Sequence, residues 1–412
     1  MKGDEAVFYA RAAALALLAL TAAGPAWGLN APLPDWAARL RFGGNAAVRA
    51  MGGQRRAGLE RNNGLSVNQA GLVLDADVAQ DVSFWYDFDL VREGAARRNE
   101  QIYIRWDNIS GRGWLNAKLG RAFMPFGEEY LRWDAVDNWF ASPTVAFPWA
   151  QDEGVVFFGD VLPEGLLSYA AAVQNGNNTF NLDDNVNKTF SGRLSTRPAP
   201  WFYASASYLN LGRQGNHASP GVGEFWLSGY HIQPLGETKA PSGPAAADAA
   251  SKEVDAQGFE GNVRLTWPER GEAWVNYGRL MVRDGGGSDR NRTIQYGALE
   301  LKAHIPKTEQ KGYVAARYSV VGTFKTDQGY RFAGTELAFA ANNSAPYGDF
   351  SYDQRSLWRA SLAAGRWFRP NVLGKLEYSW EDTTLIEPAK SPAAQSARGQ
   401  RNFFIAELAV RF

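Results

Sequence analysis

From Gln400 to Phe412 the chain alternates with a period of two. Phe404, Ala406, Leu408, Val410 and Phe412 fall on one face, and Glu407, Ala409 and Arg411 on the other. A strand of this kind offers one face to an apolar surrounding and the other to water, which is what a barrel strand in lipid needs. The pattern recurs near the other end of the chain, where Ala70, Leu72, Leu74, Ala76 and Val78 alternate with Gly71, Val73, Asp75 and Asp77. After a tight break at Gln80-Asp81, Val82, Phe84, Tyr86, Phe88 and Leu90 alternate with Ser83, Trp85, Asp87 and Asp89. Asp87 and Asp89 therefore point away from the apolar face. In a closed barrel that direction is inward, where water can hydrate them.

Further alternating runs are Arg39–Met51, Arg98–Ile109, Gly113–Phe123, Gly154–Asp160, Glu164–Gln174, Lys188–Thr196, Trp201–Leu211, Gln257–Trp267, Glu272–Arg283, Arg292–His304, Gly312–Val321, Gln354–Phe368 and Asn371–Thr383. Together they predict an all-β, transmembrane, antiparallel up-and-down β-barrel of about sixteen strands, an even number as single-chain barrels require. Glu224–Ile232 and Gly329–Phe339 are read as strand-like pieces of external loops; counted as membrane strands they would make eighteen. Short and long breaks alternate along the chain, which predicts tight turns on one rim and long loops on the other. The two longest features are a break at residues 124–153 and an Ala/Pro-rich stretch at residues 212–256. The first exceeds what a hairpin needs, so it is predicted to fold inward as a constriction loop; the second reads as an external loop.

Composition sets the compartment. RAAALALLALTAAGPA, from Arg11 to Ala26, is too short to span a bilayer and ends in small residues, so residues 1–28 read as a secretory signal and 29–412 as the barrel. Beyond it no apolar run reaches the roughly 20 residues a membrane helix requires, and mean hydropathy is −0.34. Lys and Arg balance Asp and Glu at 43 each, which argues against a nucleic-acid partner. The chain contains no cysteine, so it offers neither disulfide nor thiolate chemistry. His217, His231 and His304 are isolated, and no metal, cofactor or nucleophile motif stands out, so catalysis is not expected.

The candidate chemistry lies in the break at residues 124–153. Glu128, Glu129, Asp134, Asp137, Asp152 and Glu153 face a single arginine, Arg132, among Trp133, Trp139, Phe140, Phe147 and Trp149. Folded into a lumen, so acidic a loop would favour cations or neutral polar solutes. Arg121 stands just before it. Arg105 with Asp107, Asn116 with Lys118, and later Arg317, Lys375 and Glu377 are predicted to line the bore from the strands. Trp201-Phe202-Tyr203, Trp367-Phe368, Tyr378 with Trp380, and Phe403-Phe404 suit an aromatic girdle at the headgroup level.

Leu119-Gly120-Arg121-Ala122-Phe123-Met124-Pro125-Phe126-Gly127 resembles the stretch that precedes the constriction loop in the phosphate-selective porin O and P group of the outer-membrane porin superfamily. Ala315-Ala316-Arg317-Tyr318-Ser319 and Trp367-Phe368-Arg369-Pro370-Asn371-Val372 carry the same likeness. The resemblance implies a sixteen-stranded barrel, a homotrimer, and solute diffusing through each protomer. Anion selectivity in that group rests on abundant inward arginines and lysines, whereas this chain is neutral and its long loop acidic, so phosphate selectivity is not carried over. The expectation is a general or weakly cation- and neutral-preferring diffusion porin of the bacterial outer membrane. Its partners would be outer-membrane lipid and small hydrophilic solutes or ions. Two other classes stay open: a non-conducting barrel that sheaths a partner such as an electron carrier, and a soluble periplasmic β-rich binding module.

Overall fold

The computed structural model describes residues 39–53, 64–90, 99–132, 134–145, 148, 151–176, 187–215, 226–227, 230–231, 253–284, 291–306, 311–324, 354–385 and 399–412. The signal-peptide expectation, Gly329–Phe339, Trp133, Trp149 and most of residues 212–256 lie outside these. Nine strands come first: β1 (Leu40–Gly53), β2 (Gly64–Ala79), β3 (Val82–Asp89), β4 (Asn99–Trp106), β5 (Asn116–Phe123), β6 (Gln151–Leu162), β7 (Leu167–Gln174), β8 (Thr189–Ala199) and β9 (Phe202–Gly215). A two-residue hairpin of β10 (Trp226–Leu227) and β11 (Tyr230–His231) forms a separate small sheet. The remaining strands are β12 (Glu253–Trp267), β13 (Gly271–Asp284), β14 (Arg292–His304), β15 (Gly312–Gly322), β16 (Gln354–Arg369), β17 (Val372–Leu385) and β18 (Gly399–Arg411).

All strands except β10 and β11 join one closed antiparallel barrel of sixteen, each paired with its neighbour in this order. Closure comes from β1 against β18, with Asn45 opposite Arg411, Ala47 opposite Ala409 and Gly53 opposite Phe403. An open sheet edge would leave backbone groups unpaired in hydrocarbon at several kcal/mol each, so a spanning sheet must close. Connections obey the short-and-long rule. Ala79 turns directly into Val82 through Asp81 at φ 59°, and Pro163–Gly165 forms a single tight turn between β6 and β7.

The two faces of the wall are chemically opposite. Leu72, Ile104, Leu119, Phe157, Phe190, Val263, Leu299, Val314, Leu362, Leu376 and Leu408 are all exposed on the outside. Their neighbours one residue away point into the bore, among them Lys118, Asn262, Glu300, Arg317, Lys375 and Glu407. Polar residues inside and an apolar band outside are what a membrane-spanning barrel requires, and a soluble sandwich would place them the other way round.

The alternation also corrects part of the girdle expectation. In each adjacent aromatic pair only one ring can face out. Phe404 and Phe368 are exposed, whereas Phe403 is fully buried within the bore and Trp367 packs against inner clusters. Tyr203 likewise turns inward, where its hydroxyl donates to Glu128 at 2.5 Å. Tyr378 and Trp380 remain outside, in edge contact at 4.5 Å.

Candidate functional site

From Met124 at the end of β5 the chain turns into the bore, where the described residues up to Val145 pack against the inner wall. Because β6 begins at Gln151, Asp152 and Glu153 belong to a strand and not to the loop. The descent begins in an apolar cluster. Met124, Phe126 and Val145 pack on the inward Leu209, Leu211, Leu280, Val282, Ile294 and Tyr296. Gly127, at φ 75°, lies so close to the wall that a Cβ there would stand 3.0 Å from both Glu260 carboxylate oxygens. Only glycine meets both the backbone angle and the space.

Below this root the loop is fastened by charge. Glu128 accepts from Tyr203 and lies 3.6 Å from Arg193, which itself donates to the Gly127 carbonyl at 3.1 Å and the Tyr130 hydroxyl at 2.7 Å. Glu129 turns back into the loop and accepts from the Thr144 amide at 2.8 Å and hydroxyl at 2.6 Å. Burial, reinforced by Glu300, holds the Glu129 carboxyl above the ordinary carboxylate range despite the nearby Arg132 and the Thr144 bonds. Arg132 pairs with Glu300 at 2.9 Å and lies flat over the Trp274 ring at 4.1 Å.

Ser142 is the most densely bonded point. Its amide and hydroxyl donate to Glu377 at 2.8 and 2.6 Å, while Arg317 donates to its carbonyl at 2.8 Å. Arg359, itself held by Glu381 at 2.9 and 2.7 Å, reaches Ser142 Oγ and the Pro143 carbonyl. Lys375 donates to the carbonyls of Ala135, Asn138 and Phe140 and pairs with Glu407 at 2.6 Å. At the tip, Asp134 accepts from Asn45 at 2.9 Å, Gln69 at 3.1 Å and Arg411 at 3.2 Å; Arg411 also pairs with Asp137.

Each predicted site residue can now be placed. Glu128, Glu129, Arg132, Asp134 and Asp137 lie on the inserted loop. Arg317, with Lys375 and Glu377, lies on the wall underneath it and is fully buried, a fastening position. Arg121 is also buried, 3.1 Å from Glu153 where β5 meets β6. Asp87, Asp89, Arg105 and Lys118 belong to the part of the wall the loop leaves open. There Arg105 bonds Asp107 at 2.8 Å with both side chains still in contact with solvent, and the Lys118 ammonium sits 4.6 Å from the Tyr103 ring centroid. The residues that sequence reasoning missed are Arg193, Arg359, Glu300, Glu381 and Arg411, all inward by the same two-residue period. Arg197 and Arg264 were missed too; both flank the Tyr203 ring, at 5.7 and 5.6 Å. Parity alone would have marked them inward. Among the described residues no group of acidic or histidine side chains is placed to hold a metal ion.

A closed barrel of sixteen antiparallel strands, apolar outside and polar within, with one long loop inserted in its bore, defines the porin architecture. Solved structures with this fold include an anion-selective porin from Comamonas acidovorans, 10% identical with a TM-score of 0.55, covering 90% of this chain and 99% of that one. The outer-membrane channel DcaP of Acinetobacter baumannii is similar to the same degree, at 10% identity and 0.55, over 90% of this chain and 97% of its own. The trimer form of OmpT, an outer membrane protein of Vibrio cholerae, follows at 11% identity and 0.52, over 90% and 99%. No family model matches the sequence, and no curated protein does. The likeness is one of fold, and it does not single out the phosphate-selective group.

Proposed function

We propose that this protein is a passive diffusion channel of the bacterial outer membrane, through which small hydrophilic solutes or ions cross, with general or weak charge preference. One observation carries the reading. The inserted loop covers the inner wall on one side of the bore, whereas on β2 to β4 the inward-facing Asp75, Asp87, Asp89 and Arg105 are left partly or fully exposed. Polar side chains wetted within an apolar-sided cylinder line a water path.

Weak preference follows from how charges are spent. Of the carboxylates that made the loop look acidic, Glu128 and Glu129 are buried and bonded, and Asp152 and Glu153 lie on β6. Asp134 and Asp137 remain at the water interface and share Arg411 as a counter-charge. A cation or neutral preference would rest on those two aspartates, with Asp87 and Asp89 on the open wall; Arg105 and Lys118 oppose it. Selectivity for phosphate has only the short motif likeness behind it. A homotrimer is the assembly implied by the porin resemblance, and the solved OmpT of Vibrio cholerae has a trimer form.

Planar-bilayer recording of the refolded protein tests this reading. Stepwise conductance is expected, with a reversal potential in a salt gradient that moves toward anions when Asp134 and Asp137 are changed to Asn. A folded barrel that inserts yet passes no current would overturn the channel assignment.

A further inference from the structure

The loop tip lies over one particular place in the wall. Sixteen strands close into a barrel only where the last meets the first, and that seam, β18 against β1, joins the two segments most distant in sequence. Its closure therefore carries the largest loop-closure entropy of any pairing in the sheet.

Most of what Asp134, Ala135, Val136 and Ala141 touch belongs to this seam or to the strands flanking it, whereas Trp139 and Phe140 between them pack on Trp274, Tyr313, Ala315 and Ala363 of β13, β15 and β16. Ala135 and Val136 pack on Ala47 and Ala409, which are opposite each other across the β1–β18 pairing and are both fully buried. Ala141 packs on Met51, Phe403 and Ile405, again one residue from β1 and two from β18. Asp134 accepts from Asn45 on β1 and Arg411 on β18, which are themselves register partners, and from Gln69 on β2. Gln69 in turn accepts from the Ala135 amide at 2.9 Å. Lys375 on β17 grips three loop carbonyls while pairing with Glu407 on β18.

We infer that Asp134, Ala135, Val136 and Ala141 act as a latch that holds the barrel seam shut from inside, with Asp134 bridging first and last strands and Arg411 as its counter-charge. The rest of the loop is fastened elsewhere: Ser142 to Arg317, Arg359 and Glu377 on β15, β16 and β17. Closure of the barrel and placement of the pore loop are then one cooperative event. A substitution at Asp134 alters the bore and also loosens the wall.

The absence of native cysteine allows a direct test. Ala46 and Val410 are register partners on the outward face of the seam, away from the loop. Directly opposite residues of antiparallel strands lie about 4.5–5.5 Å apart at Cα, within disulfide reach. The measurement is the temperature at which the full-length barrel loses its compact mobility in SDS. Asp134→Ala should lower it. Oxidised Ala46→Cys/Val410→Cys in that background should restore most of the loss, and reduction should abolish the rescue. Ser142→Ala should also lower it, and the same seam disulfide should restore little, because its partners lie away from the seam. If Ala46→Cys/Val410→Cys fails to fold, Ala50→Cys/Ala406→Cys, another outward pair of partners on the same seam, serves instead. A melting point unmoved by Asp134→Ala, or a loss that the oxidised seam leaves in place, overturns the latch. None of these outcomes depends on whether the barrel conducts.

Discussion

The bore has two walls built from the same sequence pattern with opposite physical fates. Along β14 to β18, beneath the loop, Glu300, Arg317, Arg359, Lys375, Glu377, Glu381 and Glu407 point inward, are at most 4% exposed and are bonded to the loop or to each other. Along β2 to β4 the inward charges are partly or fully open to the bore: Asp75, Asp77, Asp87, Asp89 and Arg105. An inward charge is thus either a bolt or a piece of pore lining, and what separates the two is whether the loop lies on it. Buried ion pairs add little net stability over an apolar substitute, but removing one partner leaves an uncompensated charge in a poorly hydrated place.

Breaking the covered wall should have the largest effect. Arg317→Ala takes this cation from Glu377 and the Ser142 carbonyl and leaves Glu300 with Arg132 alone, at a cost of about 3–5 kcal/mol. The heat-modification temperature is expected to fall and single-channel conductance to rise as the loop detaches. Phe126→Ala empties the apolar root and costs about 3 kcal/mol or somewhat more. It should destabilise the loop while leaving the charge preference unchanged, as a reversal-potential measurement would reveal. On the open wall, Asp89→Asn should change stability by no more than about 0.5 kcal/mol, yet shift the reversal potential toward anions. A large stability loss there would erase the distinction between the walls.

Glu129→Gln gives the smallest effect and the sharpest one. Its carboxyl is held above its ordinary range chiefly by burial, then by Glu300, so the folded protein binds that proton more tightly than the unfolded chain. The stability this group contributes is therefore full at low pH and lost as pH rises through the carboxylate range and past the raised folded value. Glutamine keeps an acceptor for the Thr144 amide and carries no charge. Its melting temperature should match wild type in acid and draw ahead as pH rises; a gap that narrows with pH would show that Glu129 is better held charged.

The strands were legible because lipid outside and water inside impose a two-residue period along every strand of the wall. All sixteen predicted runs overlap barrel strands, and Glu224–Ile232 contains only the small separate hairpin. The break after β5 stood out by its length, and its described residues bond to inward side chains of the wall. What could not be read was partnership. Arg317 and Arg105 look alike in sequence, each a lone arginine on an alternating strand, but only one lies beneath Ser142. Adjacent aromatics such as Phe403-Phe404 misled for a related reason: composition places both in a girdle, and pleating allows only one. The boundary at Gln151 was misplaced, with Asp152 and Glu153 counted among the carboxylates of the break; Asp152 is buried and Glu153 holds Arg121.

Because the described part of the insert is riveted at its root, its middle and its tip, the channel proposed above is expected to carry current in proportion to voltage, with a steady baseline and few field-driven closures.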